Sequence, residues 1–84
     1  MKVYYITFRS VTFAQRGNRI LEEAGIRCSL QRTPKWMEAQ GCGYALRVWT
    51  KDIGGTLELL NRSRVTMRRL YRQQPDGQLE EIPL

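Results

Sequence analysis

The sequence predicts a single α+β domain of the ferredoxin-like, split βαβ kind. Its elements run β-α-β-β-α-β and build a four-stranded antiparallel sheet with two helices on one face. Three observations predict it. Two stretches, residues 11–24 and 51–61, carry apolar side chains at helical spacing. Short runs rich in β-branched and aromatic residues flank both of them. All six elements follow in that order within residues 2–72 of the 84.

Each element has its own local reason. Residues 2–8, KVYYITF, read as a strand because nearly every side chain is β-branched or aromatic. Ser10 or Thr12 can cap the helix that follows, in which Phe13, Gly17, Ile20, Leu21 and Ala24 recur on one stripe. Gly25 stands where a helix ends in a left-handed residue. Gly17, lying on the buried stripe, lets the helix approach the sheet closely. From Ile26 the pattern alternates, with Cys28 and Leu30 on one face and Arg27 and Ser29 on the other, as in a half-buried strand.

Residues 32–43 form a connection in which Thr33-Pro34 starts one helical turn, closed by Gly41. Tyr44 to Trp49 is the third strand. Thr50 is expected to cap the second helix, whose Ile53, Leu57 and Leu60 share a face and whose Gly54-Gly55 pair weakens it. Val65 to Arg72 is the fourth strand. Residues 1–74 make the domain, and 75–84 are expected to be an acidic, loose tail.

Charge and composition narrow the function. Fourteen bases against eight acids give +6, and the tail PDGQLEEIPL holds three acids and no base, so residues 1–74 carry 14 bases, 5 acids and +9. A basic body suits a nucleic acid, an acidic protein or a small anion. Histidine is absent, which excludes Ser-His-Asp and Cys-His chemistry and imidazole metal ligation. Two cysteines alone do not complete a tetrahedral zinc site, so no metal is expected. No apolar run spans a bilayer and no signal segment is evident, so a reduced, cytoplasmic setting and no membrane partner are expected.

The topology gives the cysteines different positions. In strand order 4-1-3-2, the end of the first strand, the start of the first helix, the connection between strands two and three, and the exit of the second helix all meet at one edge. Cys42 lies in that connection, between Gly41 and Gly43. Arg9, Arg32, Lys35, Arg62 and Arg64 belong to segments reaching the same edge, and Ser10 opens the helix there. Cations and helix N–H groups favour a thiolate, and flanking glycines leave backbone N–H groups open to a sulfur anion. The same spacing also fits a small residue in a tight corner, with Gly41 ending a turn and Gly43 entering a strand. Cys28, on the apolar face, reads as a packing residue.

Nucleic-acid signals are weaker. The third strand superficially echoes an RNA-recognition strand, with Gly43, Tyr44 and Trp49 in place. Position 46, where that motif wants an aromatic, holds Leu46, and position 47 holds Arg47. Tyr4, Tyr5 and Phe8 read as core.

Four segments resemble a known family. M-K-V-Y-Y-I-T-F-R-S, L-E-E-A-G-I at 21–26, T-P-K at 33–35 and G-C-G-Y-A-L-R at 41–47 occur in the order found in the selenium/sulfur carrier protein-like family, over residues 1 to about 72. The resemblance puts the family's cysteine on Cys42, with Gly43, Ala45, Leu46 and Arg47 completing its motif. The Cys-Pro-x-Pro of sulfur-relay carriers is absent. What the resemblance implies is a carrier rather than an enzyme, with no bound cofactor. Cys42 would hold sulfur or selenium as a persulfide or selenopersulfide, taken from a protein donor such as a cysteine or selenocysteine desulfurase and passed to a protein acceptor. The alternatives are a small basic RNA- or protein-binding module, nucleic acid being the less favoured partner, and a redox-sensing thiol protein.

Overall fold

The structure is a computed structural model that describes residues 1–33 and 43–84. Its elements are β1 (Lys2–Phe8), α1 (Val11–Glu23), β2 (Arg27–Arg32), β3 (Tyr44–Thr50), α2 (Ile53–Arg62), β4 (Met67–Gln73) and β5 (Leu79–Ile82). The strands form one antiparallel sheet in the order β2-β3-β1-β4-β5.

Five strands replace the expected four. The addition comes from the C-terminal segment, and its cause is a turn. Pro75-Asp76-Gly77 reverses the chain: Gly77 sits at φ 89 and its N–H donates to the Gln74 carbonyl at 2.9 Å, while the Asp76 carboxylate accepts from the Gln78 N–H at 2.9 Å. Leu79–Ile82 then returns along β4, pairing Gln73 with Leu79 and Leu70 with Ile82. Glu80 and Glu81 meet Arg72 and Arg69 at 2.7 and 3.5 Å.

Alternation on the strands separates two faces. Tyr4, Ile6, Phe8, Leu46, Val48 and Leu70 turn toward the helices and form the core with Ala14, Leu21, Leu60 and Val65. Burying large apolar side chains of this kind contributes roughly 1.5–3 kcal/mol each. Both helices supply this one cluster, so both lie on the same side of the sheet.

The cap of α1 is Ser10, whose hydroxyl accepts from the Phe13 N–H at 3.2 Å, and Gly25 adopts the expected left-handed conformation at φ 79. Gly17 is buried, and a Cβ there would come within 3.1 Å of Leu46 and 3.4 Å of Phe8. The close approach expected of it is present. At α2 the expected cap shifts by two residues: Asp52, not Thr50, accepts from the Gly55 N–H at 2.9 Å. Thr50 instead accepts from the Asp52 N–H at 3.0 Å, holding the capping residue in place. β4 begins at Met67 rather than Val65, because residues 63–65 finish α2: Arg64 adopts φ 60 and the Val65 N–H returns to the Leu60 carbonyl at 3.0 Å. Among the described residues, no helix is long and apolar enough to cross a membrane.

Candidate functional site

Cys42 and Gly41 lie outside the described residues, as does Lys35. What the structure gives is the frame around them. Arg32 pairs with Tyr44, and the Thr33 N–H donates to the Gly43 carbonyl at 3.0 Å, so both ends of the 33–43 connection leave from one end of the sheet. Thr7 pairs with Ala45, which brings the close of β1, and hence Arg9 and Ser10, to that same end. Gly43, the residue after Cys42, has φ 83, a left-handed conformation that side chains other than glycine's rarely adopt.

The rest of the edge is assembled by long-range contacts. Phe8 pairs with Met67 across a shift in register, and Arg9, Phe13, Thr66, Met67 and Arg68 line a shallow cavity of about 460 Å³. The Arg16 guanidinium donates to the Ser63 carbonyl at 3.1 Å, tying α1 to the exit of α2. Arg9, Arg32, Arg62 and Arg64 are exposed. Gly25 and Lys51 lie together with Met1 at the opposite end of the sheet. Thr33 is buried, and among the described residues its hydroxyl has no hydrogen-bond partner. Sequence reasoning gave Thr33 a place at the start of a turn but no part in the site, and it did not single out Arg68. Thr33 had a signal in its place before Pro34, but nothing local pairs Arg68 with Arg9, because the β1–β4 pairing that joins them spans about sixty residues.

Arg47 belongs elsewhere. It lies on the sheet face away from the helices, with its guanidinium carbon 5.8 Å from the Tyr5 ring and 4.8 Å from the Trp49 ring. Strand rise of ~3.3 Å per residue sets it roughly 13 Å along β3 from Gly43. It therefore stands apart from the edge that holds Arg9 and Ser10. The same alternation explains why Leu46 could not be a stacking position: it is buried in the core. Tyr4 and Phe8 are core residues as expected, whereas Tyr5 shares the outer face with Arg47.

Cys28 is half-buried on the core-facing side of β2. Its Sγ lies 3.3 Å from the Asn18 side-chain oxygen and 3.6 Å from the Asn18 carbonyl, so the thiol has acceptors for its proton. Burial pushes this thiol above its ordinary range, and the nearby Glu22 carboxylate adds to the effect. Such a thiol is a poor nucleophile at neutral pH.

Comparison with known proteins adds one finding. The family described as "Putative Se/S carrier protein-like" matches residues 3–72. No curated protein and no solved structure matches the chain.

Proposed function

Because this chain belongs to the Se/S carrier protein-like family, we propose that it carries sulfur or selenium on Cys42. The observation that supports this reading is the family match itself, whose span of residues 3–72 contains the G-C-G-Y-A-L-R segment at 41–47. In the proposal the thiolate of Cys42 attacks the outer sulfur of a donor protein's persulfide. A new S–S bond forms on Cys42, the donor's S–S bond breaks, and the donor's cysteine leaves as a thiolate. Electrons balance without an outside oxidant, since sulfane sulfur moves from one thiol to another. An acceptor thiolate reverses the step at the far end of the relay.

The parts have distinct roles. Arg9 and the first N–H groups of α1 hold anionic sulfur, as a helix start and a guanidinium favour negative charge. Gly41 and Gly43 leave the backbone open to the donor and acceptor proteins. The cargo is bonded to sulfur, so no resident cofactor is needed. Residues 1–74 are read as a ferredoxin-like carrier domain acting in the reducing cytoplasm, where Cys42 remains a free thiol between loads.

The test is intact mass after incubation with a cysteine or selenocysteine desulfurase and its substrate. Loading adds about 32 Da for sulfur or about 80 Da for selenium, removed by reductant and absent in Cys42→Ser. An adduct that persists in Cys42→Ser and disappears in Cys28→Ser would overturn the assignment.

A further inference from the structure

The four strands that make the body of the sheet contain seven bases, Lys2, Arg27, Arg32, Arg47, Arg68, Arg69 and Arg72, and no acid. Acids enter the sheet only with β5, where Glu80 and Glu81 pair with Arg72 and Arg69. The charge left on the outer face therefore lies toward β2 and β3.

That corner is also where the flat side chains gather. On the face away from the helices, Arg27 pairs across strands with Trp49, while Ser29, Arg47 and Tyr5 form the next row. The Arg27 guanidinium carbon is 4.6 Å from the Trp49 ring centre, and that of Arg47 is 4.8 Å from the same ring and 5.8 Å from Tyr5. Thr7, Ala45 and Tyr71 on this face are buried, whereas Arg27 is exposed and Tyr5, Arg47 and Trp49 are half-buried. The Arg47 Nε is buried and has no hydrogen-bond partner among the described residues. Among the described residues, no element of the fold packs over this corner.

We infer that the corner formed by Arg27, Trp49, Arg47 and Tyr5 binds a single strand of RNA. Guanidiniums stacked on aromatic rings present planar, cationic layers, and the next flat layer that suits them is a base. Phosphates supply the negative charge that the strands lack, and guanidiniums pair with phosphate in two-pronged fashion. An acidic protein segment would meet the charge but does not carry a flat group beside every charge, as a single strand of RNA does. Ser29 stands beside Arg47, and Gln73 lies in the Trp49 row beyond Val3. They offer a hydroxyl and an amide to a ribose 2′-hydroxyl, which favours RNA over DNA. This surface stands apart from the end of the sheet where Arg9, Thr33 and Gly43 lie, so the inference is independent of the carrier reading.

The experiment uses the full chain carrying Cys42→Ser, which removes persulfide chemistry, and a labelled oligouridylate of about ten nucleotides followed by anisotropy and tryptophan emission. Saturable binding is expected, with quenching that survives Trp36→Phe and is lost in Trp49→Leu. Trp49→Leu should weaken binding about ten-fold, within the range for loss of one stacked base. Arg47→Gln should lower the salt slope of log K by about 0.7, the value for one phosphate on a single strand. Arg62→Gln, which removes an equal charge from α2, should leave both nearly unchanged. Circular dichroism checks that each variant is folded. Absence of binding at low salt, unaltered affinity in folded Trp49→Leu, or equal binding of polyglutamate would overturn the inference. Equal binding of the matched DNA strand would overturn RNA as the occupant.

Discussion

The N–H of Thr33 donates to the carbonyl of Gly43 at 3.0 Å, so the chain enters and leaves the segment that holds Cys42 through one hydrogen-bonded neck. The neck opens at the end of the sheet where β1 gives way to α1. Cys28 lies further along β2, on the core-facing side, with its thiol against Asn18. With Cys28 so placed and Cys42 proposed as the carrier thiol, the reactivities of the two should differ.

Under native conditions Cys42 should be alkylated at least about ten-fold faster than Cys28, since reactivity follows thiolate character and access. Timed iodoacetamide labelling followed by peptide mass measurement reads both sites in one sample. Equal rates in protein that circular dichroism shows to be folded would remove the ground for giving the two cysteines separate roles.

The Cys28 setting has a consequence for stability. Its thiol is raised in the folded chain, chiefly by burial and then by Glu22, so the folded state holds this proton more tightly than the unfolded state. The stabilisation is complete below the ordinary thiol range and is lost as pH rises through the raised value. Urea unfolding midpoints should therefore fall with alkaline pH more steeply in the parent than in Cys28→Ala. Parallel slopes would show that the thiol stays protonated, or is equally accessible, in both states.

A backbone strain at the end of α2 gives a prediction of opposite sign. Arg64 sits at φ 60, a conformation that costs a residue with a side chain roughly 1–2 kcal/mol. Its side chain is exposed, so little packing is lost on its removal. Arg64→Gly should raise stability by about 1 kcal/mol or somewhat less, because glycine also gains freedom in the unfolded chain. Thermal melts of the two proteins decide it, and a lowered midpoint would mean that the arginine makes a compensating contact.

Much of this architecture was legible because its signals are local. Ser10, Gly17 and Gly25 mark the start, the packed face and the end of α1 within sixteen residues, and each has the role its chemistry implies. β5 was hidden for a different reason. Residues 75–84 were expected to be a loose tail; LEEI is acidic and short, and its pairing as a strand is supported by Arg69 and Arg72 on the partner. Asp52 lost its place as cap to Thr50 in the sequence because both are good caps two residues apart, and the choice depends on where Gly55 turns. The edge that gathers Arg9, Ser10 and Gly43 followed from strand order alone. Arg47 could not be separated from it by family motif, since a motif in sequence spans two faces of a strand and runs far from its first residue.

The last prediction separates the helix start at the proposed carrier edge from the other helix start. Ser10 and Asp52 both cap helices, each accepting from a backbone N–H three residues on, at 3.2 and 2.9 Å. Ser10→Ala and Asp52→Ala should each cost about 1 kcal/mol, the usual value for a lost cap. Their effects on Cys42 should differ. If the first turn of α1 holds anionic sulfur, then loosening it in Ser10→Ala should slow persulfide loading several-fold, and Arg9→Ala should do the same through loss of charge. Asp52→Ala serves as the matched control, because it weakens the fold equally at the end of the sheet where Lys51 lies. Loading rates measured by intact mass at a temperature where all variants are folded make the comparison. Equal slowing in Ser10→Ala and Asp52→Ala would trace the loss to stability alone, and no slowing in either Ser10→Ala or Arg9→Ala would detach the α1 start from the chemistry of Cys42.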